Sequence, residues 1–475
     1  MVFSSIIFLL YFFPIVFIIY LLLNNKIKNA FLLTVSILFY MWGAPKFIFA
    51  ILLTTCIDFF LVNTLHNATS EKKRKLFLIL SLSLNVSMLF YFKYCNFFID
   101  NVNAILGIVS TKHIQWTTIV LPIGISFYTF ESLTYVVDVY RRVHKPLTNF
   151  WDYQLYIILF PKLIAGPIIR YHELSDQIRG RIGKETIDGV LTGFYRFVIG
   201  LSKKVLIANT MAAFADQVFH LTKSELNTPM AWLGMFAYTF QIYFDFSGYS
   251  DMAIGMGKML GFKFPENFDS PYTSLSITEF WRRWHITLGA WMKNYLYIPL
   301  GGNKVNSKMK LFFNLWLVFL ISGFWHGAAW TFIFWGIYHG LLLVAERLIL
   351  LKVYAKLPKI IPLLITFLLV SVGWVFFRAE SFKEGVLFIK KLASFDFGIN
   401  YIYVTTELVV YFFLACLFSF ITLTPLGKNL QNRIYFSNYT SVGYILATLC
   451  SITLFYYCVA SISSSTFNPF IYFRF

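Results

Sequence analysis

Charge is what this chain has least of. Lys, Arg, Asp and Glu make up 13% of its 475 residues, against roughly 25% in soluble domains. Hydrophobic residues make up 58% and aromatic residues 20%, which excludes a soluble globular domain and predicts an all-α, polytopic integral membrane protein. Cysteine is scarce too. Cys56, Cys95, Cys416, Cys450 and Cys458 lie in or beside apolar segments without metal-ligand spacing, so neither a disulfide framework nor a zinc site is expected. The chain has no phosphate-cradling glycine loop, dinucleotide fingerprint, nucleophile elbow or zinc-protease helix, and handling of ATP is not expected. The first apolar block, Ile6 to Leu23, has no basic stretch before it and no small-residue cleavage site after it. It reads as a retained span, not a cleaved signal.

Apolar blocks fill the rest, at roughly residues 6–23, 30–42, 47–65, 76–98, 117–138, 153–169, 187–208, 230–246, 311–345, 361–377, 404–424 and 441–460. Since about 20 residues span a bilayer, these predict ten to thirteen membrane segments in a single polytopic domain over residues 1–475. Some would be re-entrant or half-helices around a central channel. The short second block is either a half-span or continues into the third through Gly43-Ala44-Pro45. The net charge of +18 sits in short loops: Lys26 and Lys28; Lys72 to Lys75; Arg141, Arg142 and Lys145; Arg179, Arg181 and Lys184; Lys304, Lys308 and Lys310. Cytoplasmic loops facing anionic lipid show this distribution, so no nucleic-acid partner is expected. An even number of crossings between the first two clusters places the N-terminus outside.

From Leu311 to Ala345 run 35 residues without a Lys, Arg, Asp or Glu, yet with two histidines, His326 and His339, each followed by glycine. An ionisable side chain at membrane depth needs a reason that outweighs its desolvation. Both are therefore candidates for chemistry, with a hydrogen-bonded core histidine as the alternative. Upstream, Asp245 and Asp251 flank Gly248, which is expected to break the helix; such acids cap half-helices or pair with arginine, or do acid/base work. Ser276 and Glu279 have capping-box spacing, predicting one helix from Ile277 to just before Pro299. On it Trp281, Trp284, His285, Leu288, Trp291, Met292 and Tyr295 form one stripe. That stripe suits an interfacial anchor, which leaves His285 unexplained. Histidines at 285, 326 and 339 lack the close pairing usual for zinc, so no metal is expected. An imidazole taking a proton from an alcohol is the more economical assignment.

Several motifs in one order carry a resemblance: Met1 to Ser5, Leu121 to Phe130, Phe160 to Pro167, Tyr243 to Met252, Glu279 to His285, and Trp325-His326-Gly327. Over nearly its full length the chain resembles the membrane-bound O-acyltransferases, in the bacterial branch of the alginate O-acetyltransferase membrane subunit and its peptidoglycan and cell-wall relatives. The resemblance implies an enzyme of the bacterial cytoplasmic (inner) membrane that moves an acetyl group from a cytoplasmic thioester, acetyl-CoA, toward an extracytoplasmic polysaccharide. No permanently bound cofactor is implied. A separate extracytoplasmic acetyltransferase partner would complete the transfer. His326 would be catalytic, His285 its second polar partner, and His339 a further recurrent histidine. The physics agrees: acyl transfer needs a base for the hydroxyl and donors for the oxyanion, in a channel that irregular backbone can line. That suits the Gly and Pro interruptions at 122–124, 166–167 and 299–302.

Residues 461–475 end the chain as a serine-rich linker and an aromatic tail containing Tyr472. It resembles tyrosine-bearing ends of this acyl-transfer class, where the hydroxyl receives the acyl group; the other reading is an interfacial anchor. Two further functions compete: D-alanyl transfer from a carrier protein to teichoic acid, which keeps the mechanism that the resemblance implies and changes the cargo, and, from a different class, a polymer transporter or flippase. The latter class usually shows an internal repeat, and the halves of this chain show none.

Overall fold

The structure, a computed structural model, describes residues 2–109, 113–399, 401–436, 439–464, 467 and 469. Helices dominate, and the described residues contain one isolated β-bridge. Eight helices are long and apolar enough to cross a membrane, and Ile7–Leu22 is a shorter apolar helix. The 117–138 block is helical only from Ile125, after Gly124, the 153–169 block stops being helical at Leu163, ahead of Gly166-Pro167, and the 230–246 block lies within one 32-residue helix. The chain groups into two compact units.

The first unit comprises Met1–Val2, Ile7–Thr186 and Leu260–Phe264. Its helices are α1 (Ile7–Leu22), α2 (Lys28–Gly43), α3 (Ile48–Asn67), α4 (Glu71–Ile108), α5 (Ile125–Tyr140), α6 (Phe150–Ile158), α7 (Phe160–Leu163) and α8 (Tyr171–Gly180). α2 and α3 are separate, broken at Ala44-Pro45. Only 17% of the most apolar window of α4 is buried inside the protein; its apolar side chains face outward, as lipid-solvated helices must. The polar side chains turn inward instead. Asp58 accepts hydrogen bonds from Ser81 and, at 2.8 Å, from Asn85, and Lys162 pairs with Glu131 with both side chains buried.

The second unit comprises Phe3–Ile6, Ile187–Met259 and Pro265–Phe475. At its centre α9 (Ile187–Phe219) lies against α10 (Thr228–Met259), nearly all of which is buried. Two glycine pairs, one heptad apart, allow this approach. A Cβ on Gly200 would stand 2.5 Å from the Gly248 carbonyl oxygen, and one on Gly255 would stand 2.5 Å from that of Gly193. Small residues that let backbones touch are the usual means of helix association in lipid. The expected break at Gly248 is therefore corrected: α10 runs through it, because this glycine serves close packing and not a turn. Phe3 of the opening motif stacks on Tyr249 at 4.4 Å.

The predicted continuous helix from Ile277 is also corrected. Ser276 caps its start, accepting from the Glu279 N–H at 3.1 Å, but α11 (Ile277–Arg283) ends at Trp284 and α12 (Ile286–Trp291) begins after His285. The break is stabilised by pairing with the 267–269 segment, through the Phe268–Trp284 bridge and the bonds Asp269 N to Arg283 O and Ile286 N to Asn267 O. Further on, α13 (Lys308–His326) and α14 (Trp330–Tyr354) pack against each other, so the long uncharged run supplies two helices, each long and apolar enough to cross a membrane. α15 (Ile360–Arg378), α16 (Phe382–Leu392), α17 (Thr406–Leu423), α18 (Pro425–Tyr435) and α19 (Ser441–Ser464) complete the unit.

Candidate active site

His326 is the last residue of α13 and is buried. Gly327 follows because the Phe332 ring occupies the space a side chain would need: a Cβ there would stand 2.2 Å from it. Around the imidazole stand Trp325 at 4.9 Å, Trp335 at 5.3 Å and Phe377 at 5.3 Å, ring centre to ring centre. This apolar wall excludes water, which strengthens any charge or dipole that acts inside it.

His285 comes from the α11–α12 break. Its backbone is left-handed, with φ of +46°, a conformation that costs about 1–3 kcal/mol in a residue other than glycine. The strain turns the imidazole inward. It packs edge-on against Phe246 of α10 at 4.6 Å and lies 6.4 Å from Trp325, so His285 and His326 share one indole. Nδ1 bonds Asn267 Oδ1 at 3.0 Å, while Nε2 is buried with no hydrogen-bond partner. Burial, reinforced by the nearby His326, holds the His285 imidazole, which lies outside the eight candidate spans, well below the ordinary histidine pKa. It is neutral near pH 7.

His339 is placed elsewhere. One turn after Trp335 on α14, it is fully buried among Trp335 at 4.9 Å, Trp281 at 5.0 Å and Tyr338 at 5.2 Å, and neither ring nitrogen has a hydrogen-bond partner. The Trp335 indole touches both His326 and His339. The structure thus brings His326 and His285 to one indole and sets His339 in an aromatic cage behind it. Trp284 and Trp291, expected on an interfacial stripe, are buried in the protein. Tyr472 lies outside the described residues.

Sequence reasoning missed three groups. Asn267 holds His285. Arg196 of α9 donates to Asp251 at 2.8 Å and to both oxygens of Glu266, and Lys203 also binds Asp251, at 2.6 Å. Lys204 pairs with Asp245 at 2.7 Å, both side chains being 2% exposed. A signal for the last two existed: basic residues inside the apolar block 187–208 are functional candidates by default. The two aspartates pair with basic side chains, the structural alternative of the two read for them.

A helical membrane protein that buries imidazoles among aromatic rings is suited to proton transfer, and its relatives show of which kind. The sequence profile of the MBOAT, membrane-bound O-acyltransferase, family matches residues 32–378, which contain the three candidate histidines, His285, His326 and His339. The chain is 44% identical over 399 residues to the "probable alginate O-acetylase" of Pseudomonas aeruginosa, covering 84% of this chain and 75% of that protein. It is 37% identical over 440 residues to the peptidoglycan O-acetyltransferase of Helicobacter pylori, covering 86% and 82%. With the teichoic acid D-alanyltransferase of Bacillus subtilis it shares 28% identity over 280 residues, 55% and 70% of the two chains. The chain belongs to the membrane-bound O-acyltransferase family. It is a multi-pass membrane enzyme, an O-acyltransferase, as the motifs around His285 and His326 led us to expect.

Proposed function

We propose that this enzyme, its whole chain acting as one catalytic domain, takes an acetyl group from acetyl-CoA on the cytoplasmic side of a bacterial inner membrane and passes it toward an extracytoplasmic polysaccharide. The observation that carries the reading is the convergence of His326 and His285 on the Trp325 indole inside a wall of aromatic side chains. His326 accepts the proton of the attacking hydroxyl as that oxygen adds to the thioester carbonyl; the imidazolium then protonates the departing thiolate. Its place at the C-terminal end of α13 favours the developing cation, because the negative end of the helix dipole lies there. His285 is the second polar partner.

The tail fits this reading. Pro469, the last described residue, accepts a hydrogen bond at its carbonyl from Lys204. Lys204 is the partner of Asp245, the chain neighbour of the Phe246 that packs on His285. We place Tyr472 as the relay that carries the acetyl group to a partner acetyltransferase outside. Higher identity to O-acetyltransferases over most of the chain, against 28% over about half for the D-alanyl relative, supports acetyl as the cargo.

The test is transfer in inside-out membrane vesicles containing the full chain, supplied with acetyl-CoA labelled in its acetyl group. Label should appear in acid-stable, base-labile ester linkage on the C-terminal peptide or on the surface polymer. Label there only from a D-alanyl carrier protein, and never from acetyl-CoA, would overturn the reading.

A further inference from the structure

Which ring nitrogen of His285 carries the proton is determined by a residue outside every catalytic motif. Asn267 is 1% exposed and belongs to the segment that pairs with the α11–α12 break. Its side-chain oxygen receives three contacts. Thr287 approaches with its backbone N–H at 3.4 Å and its hydroxyl at 2.9 Å, and His285 with Nδ1 at 3.0 Å. A backbone N–H can only donate, so the atom facing it is the amide oxygen. The amide nitrogen points the other way and donates to Ser250 Oγ on α10 at 3.0 Å. An oxygen cannot donate to Nδ1. Nδ1 must therefore carry the proton, and Nε2 presents a lone pair.

We infer that Asn267 is the positioning residue of the site: through its side-chain oxygen it holds His285 as the Nδ1–H tautomer, so that Nε2 serves as a proton or hydrogen-bond acceptor. This inference rests on His285 taking part in transfer. It separates two roles for that residue, since a neutral imidazole held this way cannot donate from Nε2 to an oxyanion. Nε2 instead receives a hydrogen bond from the hydroxyl or from a protonated His326, keeping the reacting proton between the two rings. The orientation of one histidine nitrogen by a bond at the other is a recurrent device of imidazole chemistry.

The neighbourhood is built to hold Asn267 still. Glu266, before it, is bound by both terminal nitrogens of Arg196, whose Nε holds Asp251 beside Ser250. One charge cluster bridging α9, α10 and the 265–270 segment thus holds the residue before Asn267 and the residue after its partner Ser250. The titratable group that acts on His285 is His326 at the end of α13; Arg283 and Asp269 flank the break through their backbone bond, and in the cluster around Glu266, Arg196 and Lys203 pair with Asp251 and Glu266. On α12 no charged residue faces it.

The experiment compares three variants of the full-length protein in native membranes, following release of free CoA thiol from acetyl-CoA and acetylation of the polymer across pH. Asn267→Leu keeps the size and removes the acceptor; turnover should fall at least about tenfold with little change in the KM for acetyl-CoA. Asn267→Asp keeps the acceptor and adds charge, so turnover should stay within about threefold of wild type while the acid limb of the rate–pH profile moves upward by about one unit. A purely structural role for Asn267 moves protein level and thermal midpoint, not that limb. If Asn267→Leu does not accumulate, the Asp variant alone decides: wild-type rate with an unshifted profile overturns the inference. His285→Ala separates the two levels. Its inactivity, with both Asn267 variants behaving as wild type, overturns the positioning role alone; wild-type activity of His285→Ala overturns the reading beneath it.

Discussion

Lys204 donates from Nζ to the main-chain carbonyl of Pro469 while pairing with Asp245 at 2.7 Å and bonding Asn209 Oδ1 at 2.9 Å. One buried cation thus joins the core of the second unit to the end of the chain. Replacing it removes the cation that faces the buried Asp245 carboxylate, so Lys204→Met should destabilise by about 3–5 kcal/mol, the usual cost of breaking a buried pair. Lys204→Met with Asp245→Leu should recover most of that stability, read as the thermal midpoint in detergent, without recovering polymer acetylation, because Pro469 still lacks its donor. Recovery of both would mean that the tail does not depend on this contact.

Tyr472 lies three positions beyond Pro469, a reach of about 10 Å. Acetyl relay requires the hydroxyl itself, so Tyr472→Phe should stop transfer to the polymer while leaving the protein level unchanged. Mass spectrometry of the C-terminal peptide, with the downstream acceptor absent, should find an acetyl ester on Tyr472 in the wild type. An anchor would tolerate loss of one oxygen, since the ring supplies most of the interfacial contact. Normal activity of the Phe variant together with an unmodified wild-type peptide would leave only the anchor.

His326→Ala removes the proposed base. A loss of about 10²–10⁴ in rate is typical of general bases, and polymer acetylation should fall below detection. The Trp325, Trp335 and Phe377 wall should still assemble, so the level of protein in the membrane should match wild type. Acetylation at wild-type level in this variant would remove the central claim.

His285→Ala should cost about 10²-fold in turnover and leave Asn267 without one of its donors. If the segment only anchored the chain, the loss would be small, since Trp284 stays packed on Trp374 at 4.9 Å. Comparing acetyl-CoA consumption in the two proteins at matched membrane content distinguishes the roles.

Much of this was legible in one sequence. Low charge and recurrent apolar blocks require helices in lipid, where every backbone N–H and C=O must bond within its own segment, and histidines inside an uncharged run invite a chemical reading. The motifs around His285 and His326 pointed to O-acyl transfer, and the family comparison bears that out. Tertiary structure alone decided the rest. A glycine reads locally as a breaker, yet Gly248 keeps its helix because a neighbouring backbone, at Gly200, needs the space. Helical periodicity carries the segment from Ile277 to just before Pro299 through His285, yet pairing with residues 267–269 breaks it there and turns the imidazole inward. The partners Asn267 and His285, and Lys204 and Asp245, lie 18 and 41 positions apart, and no local spacing connects them. Periodicity describes one element at a time; which polar atom meets which across elements follows from packing, because only there does each buried group find the partner that offsets its lost water.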